Sequence, residues 1–338
     1  MKNSFPKHLT AFFTKHLTLH KGLSENTIAS YSDTFILFFQ YCRESYSVRQ
    51  EHIDFPFISK DLIIGFCNWI ESERNCSVKM RNLRLTALHS FFRYVQTESP
   101  KYASICSDIL AIPMKKGPKN PPQHLTDIEI KMLLAEPDVK KREGIRDLAL
   151  LALLYDSGAR ISELINLSRG DLRISGKITI QVKGKGNKMR LIPVSPEAGN
   201  ILKAYLKSNK IDMGQTESPL FFNRSHNHLT RPGVTYILRK YVKMAKDKNP
   251  GYFKKTVSAH IVRHSKATHL LLSGVNLIYI RDFLGHASVI TTERYAKTNP
   301  EFMRKAIEES NADRMTRTEK YGTEEKRELT EFLKQYRL

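Results

Sequence analysis

The sequence predicts a mainly α-helical protein with a small β-sheet, in which a helical N-terminal domain precedes an α+β domain. Three observations support this fold class. Helical periodicity runs through residues 1–111, a Pro-, Gly- and Lys-rich segment follows at 112–125, and one pair of alternating apolar segments, typical of a β-hairpin, lies among later amphipathic helices. At 338 residues, the chain has the length of two or three domains.

The first domain, residues 1–111, is predicted to be all helical. In LSENTIASYSDTFILFFQ, Ser24 is a candidate N-cap, with Leu23 and Ile28 as a hydrophobic staple. A second helix, SVKMRNLRLTALHSFFRYVQTES, carries an apolar stripe made of Met80, Leu83, Leu88, Phe91 and Val95. Basic residues off this stripe form either a solvated face or a set of phosphate contacts; they are Lys79, Arg84 and Arg93.

The second domain is predicted at 126–310, after an extended and hydrated linker at 112–125. Thr126 and Glu129 fit a capping box at its first helix. The helix IRDLALLALLYDSG is expected to end at Gly158, and KITIQV and MRLIPV are predicted strands around the turn KGKGNK. Three helices follow, in GVTYILRKYVKMAKD, HIVRHSKATHLLLSG and NLIYIRDFLG.

The tail, residues 311–338, is predicted to end in a short amphipathic helix. Its apolar residues are Leu329, Phe332, Leu333 and Tyr336. A polar stretch separates this helix from the second domain. Two interpretations stay open: the helix is exchanged between protomers, or it folds back on its own domain.

The charge of the chain favours a polyanionic partner. Lys and Arg number 55 against 34 Asp and Glu, which gives a net charge of +21 at pH 7. Such a field attracts nucleic acids and speeds their capture. The basic residues are spread over many segments, whereas binding to a membrane surface would favour one basic amphipathic helix. We therefore expect nucleic acid as the partner and no membrane.

The sequence also bears on location. The chain has no apolar run of the roughly 18 residues that a membrane span requires, and MKNSFPKHLTAFF lacks the apolar core and cleavage site of a signal peptide. Four cysteines, Cys42, Cys67, Cys76 and Cys106, are scattered without a CxxC pair. We expect free or buried thiols in a reducing cytosol.

Two motifs suggest other chemistry, but each lacks a residue that the chemistry requires. GKGNK at 184–188 lacks the spacing and the terminal Ser or Thr of a P-loop. His260 and His264 have the spacing of a zinc-binding helix, but Ile261 stands where a zinc peptidase carries Glu. We expect no metal site.

Six residues together suit phosphoryl transfer without a metal: Arg160, Lys185, His260, Arg263, His286 and Tyr295. Two guanidinium groups can hold the non-bridging oxygens of a phosphodiester. Histidines can donate hydrogen bonds or move a proton near neutral pH, and a lysine can protonate a leaving alkoxide. A tyrosine hydroxyl can attack phosphorus and hold it as an ester.

At these residues the chain resembles the tyrosine recombinases of the phage integrase family. The motifs are SGARISEL with Arg160, VKGKGNK with Lys185, HIVRHSKATHLL with His260 and Arg263, and LGHASVITTERY with His286 and Tyr295. They follow the family's order across 157–297, and residues 1–111 resemble its SAM-like core-binding domain. Too little chain precedes residue 20 for a further arm-binding domain, so we expect the two-domain type of Xer and mobile-element integrases.

The resemblance implies a reaction. Tyr295 would cut one strand to give a 3′-phosphotyrosine and a free 5′-hydroxyl, and Lys185 would protonate the leaving 5′-oxygen. His260 would assist Tyr295 or the phosphate. The ester conserves the bond energy, so no ATP, metal or other cofactor is expected. Strand exchange would proceed through a Holliday junction.

The resemblance also implies an assembly. Arg160 and Arg263 would bind the scissile phosphate, and His286 would support its charge. The two domains would form a C-shaped clamp on double-stranded DNA, as a dimer on one site and a tetramer in synapsis. A cytoplasmic, nucleoid-associated bacterial protein that integrates, excises or transposes a mobile element is expected.

Some positions lie outside or depart from the family pattern. Ile261 and Val262 replace the Asp-Leu that many relatives carry between the His and Arg of the third motif. Lys266 is predicted to add a phosphate contact. The hairpin lysines Lys183 and Lys188 are predicted to lie against DNA.

Other functions stay open. Xer-like dimer resolution uses the same chemistry, and a type IB topoisomerase would use it alone on one strand. A DNA-binding protein with an inactive catalytic domain would lack a nucleophile or arginine, and all six residues are present. A metal-dependent nuclease would need clustered carboxylates, which Asp156, Glu163 and Glu293 do not form by spacing.

Overall fold

The computed structural model describes residues 4–117, 123–184, 188–285, 288 and 323–334. The chain divides into two compact units, Met1–Asn120 and Pro121–Leu338. Most described residues are helical, and one small antiparallel sheet lies in the second unit, which confirms the predicted fold class. No helix among the described residues is long and apolar enough to cross a membrane.

The first unit is built from helices. They are α1 (Ser4–Ala11), which continues as a π-helical segment (Phe12–His20), α2 (Glu25–Tyr46), α3 (Lys60–Ser72), α4 (Val78–Glu98) and α5 (Ala103–Leu110). Their buried faces meet in an aromatic core in which Phe91 packs edge-on against Phe5, Phe12 and Phe35, each at 5.3 Å between ring centroids. The four cysteines are free thiols, and Cys42, Cys67 and Cys106 are buried in this unit.

Two local predictions in this unit are met only in part. Ser24 is the N-cap residue of α2, as predicted, but its hydroxyl contacts the Thr27 hydroxyl at 3.0 Å and makes no capping hydrogen bond to the first turn. On α4, Leu88 is buried as predicted, whereas Leu83 is 42% exposed. Five residues turn a helix by roughly 140°, so Leu83 lies off the face of Leu88. Leu85, three residues before Leu88, occupies the buried face.

The helices of the second unit surround a compact apolar core. They are α6 (Asp127–Ala135), α7 (Arg142–Ser157), α8 (Ile161–Ile165), α9 (Pro196–Ser208), α10 (Arg231–Lys248), α11 (Ala259–Leu272), α12 (Leu277–Leu284) and a C-terminal helix (Thr323–Lys334). The core joins the inner faces of α7, α9 and α10 to the inner side of the sheet.

The sheet has three strands in the described part of the chain, in the order β1 (Leu172–Arg173), β2 (Thr179–Lys183) and β3 (Met189–Pro193). All pairs are antiparallel, and Val182 lies opposite Arg190. Strands β2 and β3 are the predicted hairpin. The two-residue strand β1 was not predicted, because two residues carry no period-2 pattern.

The predicted helix ends in this unit are confirmed. The Glu129 N–H donates to the Thr126 hydroxyl (3.2 Å), and the Thr126 N–H donates to the Glu129 carboxylate (2.9 Å). This reciprocal pair is the capping box. Gly158 ends α7 with φ at +55°, a left-handed conformation that favours glycine.

The predicted tail helix is present at Thr323–Lys334. Phe332 on it is 52% exposed. The other three apolar side chains named for this helix, those of Leu329, Leu333 and Tyr336, lie outside the described residues.

Candidate active site

The turn between α7 and α8 places the first predicted active-site arginine. Gly158 turns the chain, and Arg160 then takes the N-cap position of α8 with extended backbone angles. A Cβ at Gly158 would lie 2.8 Å from the Leu284 side chain, so the turn packs tightly against the end of α12. The Arg160 side chain is 39% exposed, which leaves it accessible to a ligand.

The second arginine, Arg263, is fixed from inside the domain. It lies on α11, which Ser258 caps by accepting a hydrogen bond from the Ile261 N–H (3.3 Å). Arg263 is 2% exposed, and its two terminal nitrogens donate to the carbonyls of Gly158 (2.6 Å) and Leu284 (2.7 Å). One guanidinium thus joins the turn before Arg160 to the last residue of α12.

A buried carboxylate holds Arg160. Glu163, three residues further on, accepts from the Arg160 backbone N–H (2.9 Å) and from Arg160 Nη1 (2.7 Å). Arg190 on β3 pairs with the same carboxylate through Nη2–Oε2 (2.8 Å) and Nη1–Oε1 (3.2 Å). Burial alone would raise the pKa of Glu163, but the hydrogen bonds and charges of Arg190 and Arg160 lower it to about 2. Glu163 is therefore ionised at neutral pH.

Three of the six predicted catalytic residues line one cavity of about 330 Å³. Arg160, His260 and Arg263 meet there, together with Arg231 and Arg239 from α10. The two α10 arginines are exposed. The cavity therefore combines cationic groups from three segments that are far apart in the sequence, as binding of a phosphate requires.

The other three predicted catalytic residues, Lys185, His286 and Tyr295, lie outside the described residues. The residues that directly precede two of them are described. The Gly184 N–H donates to the Lys188 carbonyl (2.8 Å) at the base of the β2–β3 turn. Gly285 ends α12 with φ at +64°.

Sequence reasoning missed Glu163 as a site residue, together with Arg190, Arg231 and Arg239. A signal was present for the two on α10, because a spacing of eight residues returns to the same helix face. No such signal existed for Arg190, since the sequence does not show which strand residue faces a buried carboxylate.

The predicted DNA-contact residues fall into two groups. Lys266 pairs with Asp156 (2.9 Å) and lies over the Tyr155 ring, and Arg84 donates to the Ser30 carbonyl (2.9 Å) and the Thr34 hydroxyl (3.2 Å). Both cations therefore have partners within the protein. The remaining four are exposed; they are Lys79, Arg93, Lys183 and Lys188. Contact with DNA stays a prediction for all six.

Comparison with protein families identifies both parts of the chain. Residues 123–301 match the phage integrase family, and residues 11–99 match the phage integrase N-terminal SAM-like domain. The integrase match alone covers more than half of the chain.

Individual relatives agree with this assignment. The tyrosine recombinase XerC of Myxococcus xanthus is 32% identical over 88% of this chain and 96% of its own. The Sinorhizobium fredii protein y4rC, which is named as an integrase/recombinase, is 35% identical over 85% of this chain and 86% of its own.

A solved structure shows the same fold. The Tn1549 transposon integrase, in complex with circular intermediate DNA, superposes with a TM-score of 0.67 at 16% identity, over 88% of this chain and 97% of the other. With the family matches on both parts of the sequence, the fold completes the assignment: the chain belongs to the phage integrase family and is a tyrosine recombinase, an enzyme of site-specific recombination.

Proposed function

We propose that this enzyme cuts and rejoins double-stranded DNA at specific sites through a 3′-phosphotyrosine on Tyr295. The observation that carries the proposal is the single cavity shared by Arg160, His260 and Arg263. Their positions agree with a phosphate held between two guanidinium groups and a histidine.

Arg160 and Arg263 would contribute to phosphate binding in different ways. Arg263 is fixed by two backbone carbonyls and supplies a buried charge in a fixed orientation. Arg160 is more exposed and is held at one nitrogen by Glu163, so it can meet a phosphate that arrives from solvent.

The reaction would proceed in two balanced steps. The Tyr295 oxygen forms a bond to phosphorus while the bond to the 5′-oxygen breaks, and Lys185 donates a proton to that leaving oxygen. The Tyr295 proton passes to His260, or to solvent while His260 hydrogen bonds to the phosphate, and His286 stabilises the charge of the transition state. In the second step the 5′-hydroxyl of a partner duplex attacks phosphorus and returns its proton to Lys185, while the bond from phosphorus to the Tyr295 oxygen breaks and that oxygen takes back a proton. No external energy source enters either step.

Double-stranded DNA is the proposed partner, in keeping with the net charge of +21 and with the DNA bound to the Tn1549 integrase. We place the DNA-binding domain at 1–111, the linker at 112–125, the catalytic domain at 126–310 and the tail at 311–338. The enzyme would bind one site as a dimer and form a tetramer in synapsis. The C-terminal helix would be exchanged between protomers, and the enzyme would act on the bacterial nucleoid in the cytoplasm.

For the biological role, we favour integration, excision or transposition of a mobile element. The name of y4rC, at 35% identity, supports an integrase. The near full-length match to XerC supports the alternative of dimer resolution. Supercoil relaxation by a single copy, as in a type IB topoisomerase, is a third outcome of the test below.

Covalent trapping tests the chemistry and finds the site. The purified full chain is incubated in EDTA with nicked fragments of the DNA of its source organism, and adducts that survive SDS are isolated and sequenced. We expect one recurrent duplex attached through Tyr295. The Tyr295→Phe variant should bind that duplex and form no adduct.

The outcomes are distinct. Adducts that persist in Tyr295→Phe, or that form only with a divalent metal, would overturn the proposal. Recovered sequences at the ends of a mobile element favour integration, whereas a single chromosomal site favours dimer resolution. Adducts without any shared sequence favour a topoisomerase.

A further inference from the structure

Arg190 contacts several segments of the candidate active site at once, although it does not line the cavity. It lies on β3 directly opposite Val182, next to the hairpin turn that carries Lys185. Its side chain is largely buried, with 14% exposed. Buried arginines need partners for their donors, so the contacts of this side chain are informative.

The first contact is with the carboxylate that holds Arg160. Arg190 binds Glu163 with two hydrogen bonds, of 2.8 and 3.2 Å, on both carboxylate oxygens. Glu163 shares those same oxygens with the backbone and side chain of Arg160. A second arginine on the same carboxylate fixes its orientation and offsets the negative charge that contacts Arg160.

The second contact is with the end of α12. Arg190 Nε donates to the Phe283 carbonyl (3.2 Å), and Arg263 Nη2 donates to the next carbonyl, that of Leu284 (2.7 Å). These are among the last carbonyls of the helix, which have no partner within it. Two arginines from different segments therefore fix the point from which the chain continues into His286.

The third contact is with two glycines. A Cβ at Gly184 would lie 3.2 Å from Arg190 Nη1, and a Cβ at Gly285 would lie 2.8 Å from the same atom. Gly184 directly precedes Lys185, and Gly285 directly precedes His286. The guanidinium thus packs against the residue before each of two predicted catalytic groups.

We propose that Arg190 is a positioning residue that holds Gly184 at the base of the β2–β3 turn, Gly285 at the end of α12 and the Glu163–Arg160 pair in one arrangement. This inference rests on the proposed function for its catalytic consequence. The arrangement itself is a property of the fold and can be measured without cleavage. A misplacement of about 1 Å at a reacting group costs on the order of 10²-fold in rate, so the loss of this contact is measurable.

The first test compares single-turnover cleavage of the duplex recovered by covalent trapping. We expect Arg190→Ala to reduce the cleavage rate about 10²-fold, with DNA affinity within about threefold of the parent chain, because Arg190 lies away from the cavity. Arg173→Ala is the matched control, since it removes an exposed arginine from the same sheet that contacts Gln181. The control should cleave at the parent rate.

A chemical readout separates positioning from general damage. A substrate with sulfur at the 5′-bridging position has a leaving group that needs no proton. If Arg190 places Lys185, this substrate should recover part of the rate lost in Arg190→Ala and none of the rate lost in Arg263→Ala. Arg190→Lys should stay impaired, because an ammonium cannot make the bidentate pair.

A second variant distinguishes the loss of the Arg190 contact from a general loss of folding. Gly184→Ala places a methyl group against Arg190, and it adds no backbone strain because Gly184 does not have a left-handed conformation. We expect it to slow cleavage in the parent chain and to add little in the Arg190→Ala background, because the two changes act on one contact. If the effects of the two changes on the cleavage rate added fully, this result would contradict the proposal.

Amide hydrogen exchange tests the positioning role of Arg190 without a measurement of cleavage. In the full chain, Arg190→Ala should speed amide exchange at Gly184 and Gly285 at least tenfold, and leave α2 and α4 of the first unit unchanged. If the parent chain forms no adduct with any DNA, the proposed function fails while faster exchange at both glycines still supports the positioning role. Unchanged exchange, or parent-like cleavage by Arg190→Ala, overturns it.

Discussion

At the scale of single residues, the buried Glu163 carboxylate controls the charge balance beside the cavity. Its pKa falls from the ordinary 4.5 to about 2 in the folded chain. A carboxyl whose pKa is lower when folded stabilises the fold above its unfolded pKa, and this contribution is lost as the pH falls towards the folded pKa. We expect Glu163 to account for up to about 3 kcal/mol of the stability that the parent chain loses between pH 5 and pH 2, and we expect Glu163→Gln to lack this part of the loss. Urea unfolding across this range checks the difference, and parallel curves would contradict it.

Arg263 supports a second prediction at this scale. Its two hydrogen bonds need a planar fork that reaches two carbonyls 2.6 and 2.7 Å away. Arg263→Lys keeps the charge but cannot bridge both carbonyls. We expect at least a 10²-fold loss of cleavage with DNA binding retained. Cleavage at the parent rate would show that charge alone suffices. His264→Gln, one residue further along α11, is a comparison that leaves both arginines in place.

The residue scale also shows what the sequence predicted and what it did not. Arg160, His260 and Arg263 were identified from motif and spacing, and the structure brings them to one cavity. Glu163 and Arg190 were not identified, because their importance comes from a contact across 27 residues. Contact of Lys266 with DNA stays a prediction, and the sequence did not show that Asp156, 110 residues away, pairs with this lysine. Patterns show which residues share a face and not which distant group meets that face.

At the scale of elements, helix capping gives a test with a control inside the same chain. The Thr126 hydroxyl accepts a backbone N–H in the capping box of α6, whereas the Ser24 hydroxyl before α2 contacts another hydroxyl. We expect Thr126→Ala to cost about 1 kcal/mol and Ser24→Ala a few tenths. Denaturation midpoints of the two variants check this ratio, and equal losses would contradict the structural difference. Ser24 is the N-cap residue of α2, as predicted from its position, but the sequence does not show whether its hydroxyl rotates towards the first turn.

Prediction from sequence succeeded best for elements with long patterns. Helices α2, α4, α7, α10 and α11 and the β2–β3 hairpin were all predicted, because periodic apolar residues and turn residues define them. Strand β1, with two residues, is too short to show a period. The start of helix α8 at Arg160 was predicted from the glycine before it rather than from a period. The π-helical segment at Phe12–His20 has a composition no different from that of an α-helix, so its hydrogen-bond pattern was not predictable.

At the scale of the whole molecule, the net charge of +21 predicts strongly salt-dependent DNA binding. A protein that makes at least six phosphate contacts loses about 10³-fold in affinity or more between 50 and 200 mM salt. We expect this for the full chain. Arg93→Ala and Lys188→Ala should each lower the slope of log affinity against log salt by about 1, since both residues are exposed. Lys266→Ala should change it less, because Asp156 already pairs with that lysine. A Lys266 effect equal to that of Arg93 would contradict this distinction.

Because the end of α12 is fixed, the distance from α12 at which Tyr295 can lie is limited. Arg190 and Arg263 anchor the carbonyls of Phe283 and Leu284, so the chain leaves for Tyr295 from a stationary point. Ten residues lead from Gly285 to Tyr295, and an extended chain of that length spans at most about 35 Å. In the proposed reaction, every phosphate that Tyr295 attacks would lie within this radius, plus the length of one side chain. Each residue inserted between Gly285 and Tyr295 extends the radius by about 3.5 Å, whereas an insertion after Tyr295 leaves it unchanged.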